Sequence, residues 1–505
     1  MKKTALMLMI IAILSKVVGF IREITLAYFY GTSGISDAYL IALTIPSVIF
    51  AFIGQGISTT YIPLYNNIMH EKDEVRAERF TNNLLSFNFL LCTLIVGLGL
   101  IFTESLVKIF ASGFTGKTLE LAVFFTRITL GGIYFTAAIN VFSGYLQIKN
   151  NYVIPATIGF PFNFLIILAI AISSKGNLSL LAIGSVLASA LQLLWLIPAV
   201  LRQGYSFRWL IDFKDIYLKR LFFLALPIII STSVNQINVL VDRTLASQIV
   251  EGGISALNYA NRLNLFVHGI VVTSITTVMY PNIAKMAAEK NREGLKKILS
   301  KAISGVNLLI IPATVGAMLF SEPIVRLLFG RGVFDEVAVA LTGGVLFFYA
   351  LGMLGAGLRS VLERVFYALQ DTKTPMLNAT LAVLLNIILN FILAHYLGIG
   401  GLALATSIAS LFCTCLLFYS LRKKLGAFGL WRITGTTIKL ISASLIMGLA
   451  SRWIYVSLQV KWGANQALLL AMGVGVLVYF FLIYLLKVQE VEEFKVYLQK
   501  KLSSR

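Results

Sequence analysis

The sequence predicts an all-α protein that crosses a membrane many times. Of its 505 residues, 58% are hydrophobic and 13% are charged, and the mean hydropathy is +0.86. A soluble domain is about 45–50% apolar and about 25% charged. A soluble protein with this composition would have to expose much of its apolar excess to water. The composition therefore excludes a water-soluble fold, and the long apolar runs along the chain indicate membrane helices.

Fourteen segments are apolar over the ~20 residues that a membrane helix requires. The connections between them are short, so no soluble domain is inserted. The first segment resembles a signal peptide, but it is too long and carries charges, so we expect a retained helix. The predicted spans are residues 5–29, 38–63, 82–103, 119–146, 153–173, 178–200, 221–248, 254–284, 302–322, 338–368, 375–396, 399–421, 433–456 and 464–486.

The basic residues predict the orientation of these spans. If both termini are cytoplasmic, 28 of the 42 basic residues lie on the cytoplasmic side and six on the other side. This asymmetry follows the positive-inside rule. It accounts for most of the net charge of +20 without a nucleic-acid partner, so we expect none. The remaining eight basic residues fall inside predicted helices, where a charge costs about 2.5–3.5 kcal/mol on insertion scales. They need a partner or an aqueous cavity.

An internal repeat predicts two lobes. Residues 34–36 (Gly-Ile-Ser) recur at 253–255, an offset of 219, and Glu23 falls on Asp242 at the same offset. An offset of six helices keeps both halves in the same orientation, as in transporters built from parallel repeats. We expect an N-terminal lobe of helices 1–6 (residues 1–220) and a C-terminal lobe of helices 7–12 (221–430). Two extra helices and a basic cytoplasmic tail would follow (431–505).

Polar residues on the first predicted helix indicate a binding cavity. Ser15, Lys16, Arg22 and Glu23 fall within about 120° of one another at 100° per residue, together with a glycine. Arg262 lies about two turns into the eighth helix, next to Asn261. If it faced Arg22 across the lobe interface, the two arginines and Lys16 would suit a diphosphate, because guanidinium groups bind phosphate through bidentate bonds. A packing role for the Arg22–Glu23 pair is the alternative.

Two further groups of residues have open interpretations. Asp37 lies at the outer end of helix 2, where it could bind substrate or cap that helix. Asp242, Asn386, Asn390 and Thr406 could hold Na⁺, but hydrogen bonding between helices is the favoured explanation, because such residues commonly provide it in membranes. No other metal or cofactor is expected. No Ser/His/Asp, metal or phosphate-loop constellation is present and the loops are small, so the sequence does not predict an enzyme.

Four motifs resemble those of the MviN/MurJ lipid II flippase family, which belongs to the multidrug/oligosaccharidyl-lipid/polysaccharide exporter superfamily. The resemblance covers the whole chain, and the helix 1 motif carries it most strongly. Lys16 and Glu23 stand where the family usually has arginine and aspartate, so both preserve charge. The motifs are Ser15-Lys16-Val17-Val18-Gly19-Phe20-Ile21-Arg22-Glu23, Ser36-Asp37-Ala38-Tyr39, Tyr259-Ala260-Asn261-Arg262-Leu263 and Phe366-Tyr367-Ala368-Leu369-Gln370-Asp371-Thr372-Lys373-Thr374-Pro375.

The resemblance implies a flippase that moves the undecaprenyl-diphosphate-linked peptidoglycan precursor across the bacterial cytoplasmic membrane by alternating access. It implies that Arg22 and Arg262 are essential, that Lys16, Glu23 and Asp37 support them, and that helices 13 and 14 form a groove for the lipid tail. Expected partners are lipid II, membrane lipids and cell-wall synthesis proteins, with the chain as a monomer. A flippase for teichoic acid or exopolysaccharide precursors is the first alternative. A multidrug cation antiporter is disfavoured because the predicted cavity is basic.

Overall fold

The chain folds as α-helices connected by short turns. The computed structural model describes the backbone of residues 2–488, 490 and 492, and the side chains of most of them. Most of the predicted basic tail lies outside the described residues. The first nine helices are α1 Lys2–Tyr30, α2 Gly34–Glu71, α3 Glu74–Ile101, α4 Thr103–Phe110, α5 Gly116–Thr129, α6 Gly132–Ile148, α7 Val153–Thr157, α8 Gly159–Ser173 and α9 Ser179–Arg202. The next nine are α10 Ile216–Ile249, α11 Gly253–Ala288, α12 Arg292–Leu319, α13 Ser321–Phe329, α14 Glu336–Ala368, α15 Lys373–Leu397, α16 Ile399–Leu425, α17 Leu430–Trp462 and α18 Ala464–Leu485.

The helices confirm the predicted fold class. Within the described residues, ten helical segments are long and apolar enough to cross a membrane, and thirteen when each of three bent pairs counts as one span. One such pair is α5 and α6, which meet at 43° inside a single predicted span. The fourteenth predicted span is α1, in which Lys16, Arg22 and Glu23 interrupt the apolar sequence. Every predicted span therefore corresponds to a helix or a bent pair.

The repeat is visible in the helix pattern. α2 begins at Gly34 and α11 begins at Gly253, the two glycines of the repeated tripeptide. α3 and α12 are both 28 residues long, and the carboxylate of Asp73 and the amide oxygen of Asn291 accept bonds from their first-turn amides. Each is followed by a short amphipathic helix, α4 or α13, that lies almost entirely in a predicted connection. A short helix with one apolar face lacks the length of a membrane span, so a hydropathy window does not detect it.

The chain forms two compact units, each with its own core. The first unit contains residues 1–255 and 331–335, and the second contains residues 256–330 and 336–505. α10 belongs to the first unit because it packs along α2. The predicted lobes 1–220, 221–430 and 431–505 rest on the sequence repeat rather than on compactness, and they stay a prediction.

The second unit includes α17 and α18, which pack against α12. The Asn307 side chain on α12 donates to Thr437 Oγ1 on α17 over 2.9 Å, and the Tyr479 hydroxyl on α18 donates to the Leu308 carbonyl over 2.7 Å. Buried side chains from α17, including Leu440, and from α18 fill this contact. The two added helices are therefore fixed to the repeat by both polar and apolar contacts. Their predicted role as a lipid-tail groove stays a prediction.

Candidate substrate-binding site

The polar residues of α1 meet α8 within the first unit. Arg22 Nη2 lies 2.6 Å from Glu23 Oε1, and the Glu23 side chain is almost completely buried. The Arg22 side chain retains 21% of its exposure. A buried carboxylate beside a guanidinium is strongly favoured over the same carboxylate alone, because an isolated charge at this depth would be desolvated without compensation. Glu23 therefore fixes the position of Arg22.

Two residues of α8 complete the surroundings of Arg22, and the sequence analysis did not identify them. Arg22 Nη1 donates to Asn163 Oδ1 over 3.1 Å, and the guanidinium carbon lies 5.9 Å from the centre of the Phe162 ring. Asn163 in turn donates to the Gly159 carbonyl over 2.7 Å, which orients its amide. The sequence signal that could have identified Asn163 is an asparagine within an otherwise apolar helix, because a buried amide requires hydrogen-bond partners.

Ser15 and Lys16 take different places on α1. A Cβ atom added at Gly159 would lie 2.2 Å from Ser15 Oγ, so Ser15 occupies the space that this glycine leaves at the start of α8. Lys16 is exposed, and no ion pair is found for it within the described residues. Ser15 therefore serves helix packing, and Lys16 adds an accessible positive charge to the same helix as Arg22.

Asp37 is held by backbone amides at the start of α11. Its Oδ2 accepts from the Gly252 amide over 2.9 Å and its Oδ1 from the Ser255 amide over 2.7 Å, and only 1% of the residue is exposed. The suggested capping of α2 by Asp37 is wrong, because Ser33 occupies that position. Asp37 instead binds one amide just before α11 and one in its first turn, where backbone amides lack intrahelical partners. Its predicted contact with substrate stays a prediction, and both carboxylate oxygens already have donors.

Arg262 and Asn261 lie in the second unit on α11. Tyr259 and Ala260 are fully buried, and the Tyr259 ring centre lies 5.3 Å from that of Phe329. Asn261 is half-buried and Arg262 is exposed, so neither belongs to the fully buried side of α11. Tyr259 thus anchors the helix and leaves the Arg262 guanidinium accessible.

The candidate cation residues divide between the units. Asn390 Nδ2 donates to Asn386 Oδ1 over 3.1 Å, and Asn386 Nδ2 lies 3.4 Å from Thr406 Oγ1, all within the second unit. Asp242 is in the first unit, where the Asn238 amide lies 3.5 Å from its Oδ2. The link from α15 to α16 is the interhelical hydrogen bonding that was favoured as the alternative to an ion site. Within the described residues, no group of three or more histidine, cysteine or acidic side chains could hold a metal ion.

Comparison with known proteins decides the family. Residues 26–473 match the family model described as lipid II flippase MurJ. The chain belongs to this family. It is 27% identical over 511 residues to the probable lipid II flippase MurJ of Vibrio cholerae, covering 96% of both chains. It is 28% identical over 481 residues to the probable lipid II flippase MurJ of Thermotoga maritima, covering 95% of both chains.

Solved structures agree with the family. A lipid II flippase MurJ in an inward closed conformation matches with a TM-score of 0.82 and 27% identity, over 95% of this chain and 98% of that one. A multidrug resistance MATE family transporter of the MOP superfamily in an inward-facing conformation matches with a TM-score of 0.70 and 17% identity, over 82% and 95%. The second likeness shows a shared fold only. The fold expected from the helix count and the repeat is thus confirmed, and the chain is a multi-span membrane protein.

Proposed function

We propose that the protein is a flippase for lipid II, the peptidoglycan precursor, in the bacterial cytoplasmic membrane. Membership of the lipid II flippase family and the match to a MurJ structure over nearly the whole chain support this function. Such a protein moves its substrate between leaflets without changing covalent bonds, so it is a transporter rather than an enzyme. Its action would supply the precursor for cell-wall biogenesis and thereby maintain cell shape.

The arrangement of Arg22 is the observation that carries the proposal. Glu23 and Asn163 each accept from one side of the guanidinium, while the side chain stays partly exposed. An arginine has five N–H donors, so the fork retains donors for a phosphate after both contacts are made. We propose that Arg22 and Arg262 bind the diphosphate of the substrate and that Lys16 adds long-range attraction. Alternating access would then carry the headgroup across while the polyprenyl tail stays in lipid.

The test is replacement of the native gene in cells that contain no second lipid II flippase. Depletion of the protein should reduce the lipid II accessible at the outer surface. Arg22→Ala and Arg262→Ala should each fail to restore access at normal membrane levels, because a bidentate phosphate contact is lost. Lys175→Gln removes an exposed charge from the first unit and should restore access fully. Unchanged access after depletion would refute the substrate, and full activity of both arginine variants would refute the diphosphate site.

A substrate difference would show in the same cells. If depletion left lipid II access unchanged but reduced outer-surface display of another polyprenyl-linked glycan, the chain would be a flippase for that glycan. The Arg22 variants would still fail, because the diphosphate is common to both substrates. The two readouts therefore separate an error in the substrate from an error in the site.

We propose that both termini are cytoplasmic and that the protein acts as a monomer in contact with cell-wall synthesis proteins. The connections on the same side as the two termini, together with the termini, contain 28 of the 42 basic residues, and this concentration supports the orientation. In a background without the three native cysteines, a cysteine at position 297 should react with an impermeant thiol reagent only after the membrane is opened. A cysteine at position 117 should react in intact cells. The reverse pattern would invert the topology.

We propose Na⁺ as an ion that the protein could use, with Asp242, Asn386, Asn390 and Thr406 as oxygen ligands. The closeness of Asn386, Asn390 and Thr406 supports this, because hard cations prefer carboxylate, amide and hydroxyl oxygens. Na⁺ should raise the unfolding temperature of the purified protein relative to choline, and Asp242→Ala should abolish the difference. The absence of any Na⁺ effect on the native chain would exclude the site.

A further inference from the structure

The second unit contains a cavity that the proposed transport site does not use. It has a volume of about 620 Å³ and lies at the first turns of α12, beside the turn between α16 and α17. Residues 427–429 of that turn and Thr436 of α17 form one wall, and Glu490 contributes a carboxylate. The residues of the candidate substrate-binding site do not line it.

Three lysines of α12 give the cavity its positive charge. Lys296, Lys297 and Lys301 all line it. Lys296 Nζ lies 2.8 Å from Glu293 Oε1, but the Glu293 side chain is 84% exposed, so solvent screens this pair. Lys297 and Lys301 are four residues apart, so they lie on one helix face and an anion in the cavity can contact both.

Glu490 adds a second requirement for the ligand. Its Oε2 atom is buried, and it has no hydrogen-bond partner among the described residues. A buried carboxylate oxygen without a donor costs free energy until a donor reaches it. A ligand that fits both groups therefore carries an anion for the lysines and a hydroxyl or amine for Glu490.

The position of the cavity along the helices indicates a ligand held in the membrane. From Ala302 onward α12 is apolar and largely buried, whereas its preceding turns are polar. Phe428 in the cavity wall is buried, and Trp431, the second residue of α17, is 92% exposed. Exposed tryptophan is enriched at the headgroup level of bilayers. Basic pockets at this level on helical proteins bind lipid phosphates.

We propose that this cavity binds the headgroup of a membrane glycerophospholipid, with its phosphate at Lys296, Lys297 and Lys301 and its headgroup hydroxyl or amine at Glu490. Phosphatidylglycerol and phosphatidylethanolamine carry both groups. Phosphatidylcholine carries the phosphate but no donor. Binding at this site does not depend on the proposed transport function, because none of its residues belongs to the transport site.

Native mass spectrometry of the full chain in detergent measures this binding directly. Each of the three lipids is titrated in turn, and the bound fraction is compared between variants. The triple variant Lys296→Gln, Lys297→Gln, Lys301→Gln should bind phosphatidylglycerol roughly a hundredfold more weakly than the native chain. The matched control carries Lys285→Gln, Arg422→Gln and Lys423→Gln, which removes the same charge from exposed positions outside the cavity. This control should bind as the native chain does.

The native chain provides a second readout that does not require the variants to fold. An amine-reactive label should modify Lys297 several-fold more slowly in phosphatidylglycerol vesicles than in lipid-free detergent, while Lys285 reacts at similar rates in both. Equal lipid binding by the two triple variants, or an unprotected Lys297, would overturn the proposal. Equal protection by inorganic phosphate alone would identify a soluble anion instead of a lipid and would also overturn it. Equal affinity for phosphatidylcholine would overturn the assignment of Glu490.

Discussion

Replacement of Asp37 by asparagine tests the most heavily buried carboxylate contact of the first unit. The substitution preserves shape and leaves one oxygen, which can still accept from one backbone amide. The other position becomes an NH₂ group that faces an N–H donor, at Gly252 or at Ser255. Hydrogen bonds to charged groups contribute about 1.5–3 kcal/mol each, and an unsatisfied buried donor adds a penalty of similar size.

The expected loss is therefore about 2–4 kcal/mol in the free energy of unfolding. For a unit of this size, each kcal/mol lowers the unfolding temperature by about 2–4 °C, so the midpoint should fall by roughly 5–15 °C. Intrinsic fluorescence of the purified protein in detergent during heating measures the midpoint. The membrane level of the variant gives an independent measure of folding in cells.

The control is the same substitution at Asp73, which accepts from the Arg76 amide at the exposed start of α3. Asparagine and aspartate cap helices about equally well, so Asp73→Asn should change the midpoint by less than about 2 °C. Equal midpoints for the two variants would show that the buried contacts of Asp37 contribute no more than an ordinary exposed cap. That result would refute the reasoning from burial.

Two further predictions concern the backbone and the pH dependence. Gly252→Ala should lower the unfolding midpoint by several degrees, because Gly252 has φ +79° and an added Cβ would lie 2.6 Å from the Thr32 carbonyl oxygen. Gly97→Ala, in a helix with open space around the glycine, should leave the midpoint unchanged or raise it. The bond from Lys424 lowers the pKa of Asp371 to about 2, so its stabilising contribution is present above about pH 4 and is lost as the pH falls towards 2. At pH 5, Asp371→Asn should therefore unfold at a slightly lower temperature than the native chain. This difference in unfolding temperature should disappear near pH 2. A difference that is constant with pH would contradict the ion pair.

The fold was largely predictable from the sequence because a bilayer imposes a simple rule on it. Every membrane helix needs about 20 apolar residues, and each predicted span corresponds to a helix or a bent pair. The boundaries were less predictable where polar turns extend a helix beyond the apolar core. α12 begins at Arg292, ten residues before its predicted span, because Asn291 caps it and a charged first turn can be helical in water.

The candidate site was predictable only in part. The sequence identified Arg22 and Glu23 because charges in an apolar helix are conspicuous, and the structure places the two charged groups 2.6 Å apart. It did not identify Asn163, which is 141 residues away and whose partner no local pattern specifies. The i,i+4 spacing of Arg359 and Glu363 predicts an ion pair, and the structure has this pair at 2.6 Å, because its geometry is set by one helix alone.

Asp37 shows why a local pattern assigns the wrong partner in a duplicated chain. At the repeat offset of 219, Asp37 corresponds to Ala256, so the first turn of α11 has no acid of its own at that position. Glu251 corresponds in the same way to Thr32. The structure pairs them reciprocally: Asp37 accepts from the first amides of α11, and Glu251 Oε1 accepts from the Gly34 amide at the start of α2 over 3.0 Å. Each helix start therefore takes its carboxylate from the other repeat, and truncation of either acid to alanine removes an acceptor from backbone amides of the other repeat.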